Sequence, residues 1–279
     1  MKVRIVTDST ADMIQAMRDR VTVVPLTISF GSEEYIDGVT IDHHRFYEKL
    51  VESDVLPKTS QPSPDAFASV YEAAREAGEE VVVITVSSKL SGTFQSATIA
   101  SEGYDNVYVV DSRSVAIGSG ILAEYALSLA DAGMSAQAIS DALLAARGNV
   151  RVIAMLDTLE YLRRGGRISG AVALAGSLLA IKPVVCIEDG EIKILGKARG
   201  SKQGNNLLIK EIEASGGVDF DKPLLLGYTG LSDMLLKKYI ADSADIWAGN
   251  VDRLPVTAVG SGVGTHAGPG AVAVAYFRK

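Results

Sequence analysis

Val81-Val82-Val83-Ile84-Thr85-Val86 is a short, β-branched and almost uninterrupted apolar run. A run of this length with no polar alternation predicts a strand covered on both faces, as in a parallel sheet. The turn Ser87-Ser88-Lys89-Leu90-Ser91-Gly92-Thr93 follows, and then Phe94-Gln95-Ser96-Ala97-Thr98-Ile99-Ala100, which is able to form a helix. Strand, turn and helix repeat through the first half, with strands expected at 3–6 and 107–110 and an extended run at 21–28. Helices are expected at 12–20, 42–52, 64–77, 117–130 and 136–147. Such alternation implies an α/β layer structure around a parallel sheet.

Past residue 150 the texture changes. Strand patterns at 184–187 and 192–195 flank Asp189-Gly190, a strong hairpin signal. Further strands are expected at 224–227, 255–259 and 271–277, and helices at 202–214 and 233–241. The fold class read from these patterns is α/β. Residues 1–150 form a parallel-sheet α/β/α domain, and residues 151–279 an α+β domain with a mainly antiparallel sheet. The boundary near Gly148-Asn149 is soft enough to allow segment exchange.

The chain of 279 residues can bury two modest cores. Its net charge of −7 and lack of a polybasic run argue against a nucleic-acid partner or an anionic-membrane surface. The single cysteine, Cys186, lies in the apolar run Pro183-Val184-Val185-Cys186-Ile187 and reads as a buried structural thiol. One cysteine excludes an internal disulfide and suits a reducing cytoplasm, and Met1-Lys2-Val3-Arg4-Ile5 leads into a strand without a secretory pattern. The longest apolar stretch, residues 168–181, is shorter than the roughly 20 residues a membrane helix needs. No stable membrane insertion is expected.

Three hydroxyl-rich turns stand where strands are expected to end: Lys58-Thr59-Ser60-Gln61-Pro62-Ser63, the turn around Ser91, and Gly260-Ser261-Gly262-Val263-Gly264-Thr265-His266. Hydroxyls and free backbone N–H groups at such turns suit a small anionic group. Little else in the chain points to bond-breaking chemistry. There is no Gly-x-Ser-x-Gly elbow, no Walker-type loop for ATP and no acid or histidine cluster at metal-ligand spacing. Asp8 reads as a cap on the following helix, and His43 and His44 as an exposed helix start. His266, in a Gly-rich loop, is the sharpest titratable candidate.

Several segments together resemble the DegV family. They are Val6-Thr7-Asp8-Ser9-Thr10-Ala11-Asp12, Lys58-Thr59-Ser60-Gln61-Pro62-Ser63, Leu90-Ser91-Gly92-Thr93, Val110-Asp111-Ser112, Tyr161-Leu162-Arg163-Arg164-Gly165-Gly166-Arg167-Ile168 and the closing Gly260–Gly270 segment. The resemblance implies two α/β domains with a long-chain fatty acid such as palmitate between them, and no catalysis or cofactor of the chain's own. It further implies a bacterial kinase subunit as partner, which phosphorylates the bound carboxyl group, and the chain itself is expected to be a monomer. By the same resemblance Thr59, Ser91 and His266 hold the carboxylate, with Ser60, Gly92 and Thr93 completing a neutral nest. Arg163 and Arg167 would lie at the entrance facing the kinase. Residues 168–181, rich in Ala, Leu and Gly, are the sequence's candidate for the tunnel wall. Two readings compete with this one: a serine-dependent acyl hydrolase or transferase using Ser91 and His266, and a binder of some other amphipathic acid.

Overall fold

The computed structural model describes residues 2–168, 181–247 and 249–279. In chain order its strands are β1 (Val3–Asp8), β2 (Thr22–Val24), β3 (Thr27–Phe30), β4 (Glu33–Ile36), β5 (Lys58–Ser60), β6 (Glu80–Thr85), β7 (Val107–Asp111), β8 (Val150–Met155), β9 (Ile181–Glu188), β10 (Glu191–Arg199), β11 (Leu225–Tyr228), β12 (Val256–Ala258) and β13 (Val272–Phe277). They build three sheets. A four-stranded sheet, in the order β2-β1-β6-β7, is parallel throughout. A six-stranded sheet, in the order β10-β9-β8-β13-β11-β12, is antiparallel except for the β11–β12 pair.

The third sheet, β4-β3-β5, has no counterpart in the sequence reading. Residues 21–28 were expected as one extended run, but the run divides at Pro25 between β2 and β3, which belong to different sheets. Proline has no N–H for a ladder and commonly marks such a change of direction. The small sheet carries Lys58-Thr59-Ser60 as a strand where a turn was expected. Its inner face, Ile28 and Phe30, is buried against Phe46, Tyr47 and Leu50 of the helix His43–Glu52.

The hairpin expected at Asp189-Gly190 is present. Both residues take positive φ, 49° and 81°, as a type I′ turn requires. The helix expected over 12–20 is reduced to Gln15–Arg18 with no side-chain cap. Asp8 therefore caps nothing. Its carboxylate accepts from Thr10 N at 2.9 Å and Val86 N at 2.7 Å, which ties the ends of β1 and β6 together.

Each sheet is covered in turn. Val6, Val81 and Val83 pack on the helices Pro64–Glu76 and Thr93–Ala100 through Phe67, Tyr71 and Ala97. On the opposite face Ile5, Val82 and Ile84 meet the helix Ile117–Asp131. That helix also touches Val152, Leu225, Ala275 and Phe277 of the six-stranded sheet, so both large sheets share one apolar core. The far face of the six-stranded sheet is closed by Leu208, Leu236 and Trp247. Residues 169–180, most of the segment read as tunnel wall, lie outside the described residues.

Candidate functional site

In the six-stranded sheet, side chains alternate between the two faces. Ile153 and Met155 of β8 face the helix Gly200–Ala214, while Val152 and Ala154 face the other way, into a cavity. β13 does the same, with Val272 and Val274 in the core and Ala273 on the cavity side. Ala273 and Ala154 are direct cross-strand partners, and Ala271 stands at the start of β13. Three alanines on one face of a sheet leave space that valine or leucine would fill. The cavity holds about 950 Å³, including the solvent at its opening. Leu26, Val86, Leu156, Leu162, Val185, Ile187, Ile192 and Val259 complete its apolar wall.

Polar atoms gather on a minority of that wall: Thr10, Thr59, Ser91, Arg167, Thr229 and His266. Thr59 comes from β5, Ser91 from the turn after β6, and His266 from the helix Ser261–Ala267. Three elements far apart in sequence thus converge on one space. Thr59 Oγ1 and His266 Nε2 are hydrogen-bonded at 2.9 Å. Ser91 Oγ lies 2.8 Å from Thr93 Oγ1 and accepts from Thr93 N at 3.3 Å. Arg167 donates to Leu90 O at 3.1 Å, next to Ser91 in the chain.

Burial, with a smaller push from the Arg167 charge, lowers the His266 imidazole from 6.5 to about 4. The ring is therefore neutral at pH 7. Its Nδ1 is buried without a partner among the described residues. A proton placed on Nε2 avoids leaving an N–H buried and unpaired, which is the costlier arrangement. In that tautomer Nε2–H donates to Thr59 Oγ1, and the Thr59 hydroxyl keeps its own hydrogen for an acceptor in the cavity. A folded-state value below the unfolded one means stability is present above 6.5 and lost as pH falls toward 4. Relative to a His266→Gln variant, the wild type should lose melting temperature across that window. Parallel melting curves would show the mechanism wrong.

Several expected roles change. His266 sits near the end of a seven-residue helix, not in a loop. Ser60 is exposed and points away, because its neighbour Thr59 takes the inward position of β5. Gly92 is the N-cap residue of the helix Thr93–Ala100 and Thr93 is buried, but neither lines the cavity. The polar end is not neutral, since the Arg167 guanidinium forms part of it. Arg163 is exposed at the end of the helix Glu160–Arg164, away from the lining. His43 is partly buried between two carbonyls, Val259 O at 3.1 Å and Gly230 O at 3.0 Å. Cys186 is buried as expected, and it also lines the cavity.

Residues 2–279 match the family model described as "Uncharacterised protein, DegV family". The chain belongs to the DegV family. A DegV domain-containing protein of Caldanaerobacter subterraneus is 35% identical over 283 residues, covering 100% of this chain and 99% of its own. Among solved structures, a fatty-acid-binding DegV family protein from Thermus thermophilus superposes with a TM-score of 0.88 at 34% identity, over 99% of this chain and 100% of its own. DegV from Bacillus subtilis, a fatty acid binding protein, gives a TM-score of 0.83 at 30% identity over the full length of both.

This DegV chain fixes its His266 helix through buried acids that sequence reasoning passed over. Asp12 accepts from Gly260 N at 2.7 Å and Asp37 from Gly262 N at 3.2 Å, at the start of that helix. Burial raises both carboxyls, Asp12 to about 8. Two glycines permit the packing. A Cβ on Gly165 would fall 2.2 Å from His266 Nδ1, and one on Gly264 would fall 2.4 Å from Tyr47 Oη. Gly264→Ala should therefore displace the helix, destabilising the protein by about 1–3 kcal/mol. Thermal melts would detect it, and an unchanged melting temperature would contradict the packing. The sequence signal available was the Gly-x-Gly-x-Gly spacing itself, which suggests close approach of the backbone to a ligand; at Gly264 it serves close contact with Tyr47 and Phe46.

Among the described residues, the hydrogen bonds do not include a Ser91–His266 pair. Ser91 is bonded to Thr93 and His266 to Thr59, and no carboxylate reaches His266 Nδ1 among the described residues. Ser–His catalysis needs the nucleophile on the base and an orienting group behind it. Among the described residues there is no group of three or more potential metal ligands, and no helix long and apolar enough to cross a membrane.

Proposed function

We propose that this protein binds a long-chain fatty acid in the cavity and performs no chemistry on it. The acyl tail would lie over Ala154, Ala271 and Ala273, with the carboxylate at Thr59, Ser91 and His266. The observation that carries this reading is the combination of a mostly apolar cavity with hydroxyls and one guanidinium confined to part of its wall. The fatty acid binding of the Thermus thermophilus and Bacillus subtilis relatives supports it. Burying about 16 carbons at roughly 0.8 kcal/mol per CH₂ contributes on the order of 10 kcal/mol before ordering costs, so the tail dominates affinity and the polar groups set orientation. Organic extraction of the purified protein followed by mass spectrometry should release a fatty acid. If none is released, and delipidated protein takes up none, the reading fails.

The finer reading is a cytoplasmic monomer, divided between its two large sheets at about residue 150, that presents the carboxyl group to a kinase subunit. Its support is the exposed basic pair Arg163 and Arg164 close in sequence to Arg167, the arginine on the cavity wall. Arg164 is held by Glu160, while Arg163 carries no ion pair among the described residues. Arg163→Ala should leave palmitate affinity unchanged and slow phosphorylation of the bound acid several-fold. Equal loss of both, measured by binding and by acyl-phosphate formation, would make Arg163 structural.

A further inference from the structure

A second cleft opens where both large sheets end together. It is bounded by Arg113 just beyond β7, the turn Arg147–Asn149 leading into β8, the β9–β10 turn and Arg278 just beyond β13. It encloses about 880 Å³, including the solvent at its opening. Ile187 lines both this cleft and the acyl cavity, so the two lie on either side of β9's last residues. The cleft's character is opposite to the cavity's.

Four arginines line it: Arg113, Arg147, Arg151 and Arg278. The chain's net charge is −7, and elsewhere Arg4, Arg20, Arg75 and Arg164 each pair with a carboxylate. Among the described residues these four make no ion pair. The nearby Asp111 is occupied otherwise, its carboxylate accepting from Ser88 Oγ at 2.6 Å and Arg113 N at 2.9 Å. Arg147 is anchored through Asp111 O. Burial and the neighbouring Arg113 charge both work against the Arg147 cation. Arg151 Nε is buried with no hydrogen-bond partner among the described residues. The four guanidinium groups outnumber the carboxylates that share the cleft, so they repel one another, and an oxyanion matching their forked donors relieves that repulsion. Glu188 and Asp189 also line the cleft, and they suit hydroxyl donors rather than a second anionic group.

We propose that this cleft binds a small phosphomonoester, its phosphate among Arg113, Arg147 and Arg278 and its hydroxyl-bearing body toward Glu188 and Asp189. A phosphomonoester free in solution and one in a lipid headgroup present the same group, and the test separates them. Glycerol 3-phosphate would be titrated calorimetrically into delipidated protein at low salt, and the protein floated with vesicles containing phosphatidic acid, whose headgroup is a phosphomonoester. Arg113→Gln and Arg278→Gln are the variants, because both side chains are exposed and neither lies in the acyl cavity. Saturable glycerol 3-phosphate binding, weakened at least about fivefold in each variant, is the expected result. Vesicle binding alone, lost in the same variants, also supports the site and assigns it to a headgroup. No binding of either probe up to roughly 10 mM phosphate, or binding unchanged in both variants, overturns it. Palmitate affinity, measured on the same samples, should not move in either variant, so this test stands apart from the fatty acid reading.

Discussion

Ala154→Phe is expected to reduce palmitate affinity by roughly two to three orders of magnitude while leaving the ligand-free protein folded. Ala154 lies on the cavity face of β8, directly across from Ala273 of β13. A benzyl group there projects into empty space instead of into packed neighbours, so the usual cost of overfilling a core is small. The ring would displace the equivalent of about four or five methylenes of ligand, each contributing about 0.8 kcal/mol. The lost 3–4 kcal/mol, about that order, converts to the stated drop. Titration of delipidated protein measures it, with a thermal melt as control. Palmitate bound as tightly as by the wild type, in a folded variant, would remove the tail from this cavity.

Thr59→Val and Ser91→Ala are expected to weaken palmitate about ten- to a hundred-and-fifty-fold each, the effect of one lost charge-assisted hydrogen bond of roughly 1.5–3 kcal/mol. Thr59→Val keeps the side chain's shape in β5 and removes the hydroxyl that faces His266 at 2.9 Å. A fatty alcohol, which carries no charge, should lose less in the same variants. Undiminished palmitate binding to both would put the head group elsewhere, even with the tail correctly assigned. The two experiments are separable because one removes volume and the other removes only a donor.

Much of the frame was readable from residue patterns. The β-branched run at 81–86 marks a strand of a parallel sheet, and Asp189-Gly190 marks the hairpin, because each signal depends on local conformation alone. The convergence of Thr59, Ser91 and His266 on one cavity was legible only through the family resemblance, since no local rule brings residues 59 and 266 together. What stayed hidden depends on tertiary context. Which face of β5 turns inward decides between Thr59 and Ser60, and three residues are too few for alternation to tell. The alanines of β8 and β13 carry no binding signature in sequence, because their contribution is missing volume. Nothing local marks Asp12 and Asp37 as partners of Gly260 N and Gly262 N, because the helix Ser261–Ala267 that they hold is more than 220 residues away in sequence.

The helix Ile117–Asp131 has a bearing on how a guest molecule gets in. It is buried against both large sheets in one continuous apolar core, with Ile117 and Ile121 fully enclosed. Two bodies joined by a thin polar seam can swing open like a clamp; two bodies sharing a hydrophobic core cannot separate without exposing it to water. On the proposed function, a fatty acid should therefore enter and leave by displacements local to the cavity's rim, without the two large sheets parting. Exchange rates should follow the local stability of that rim and be nearly indifferent to the stability of the whole fold.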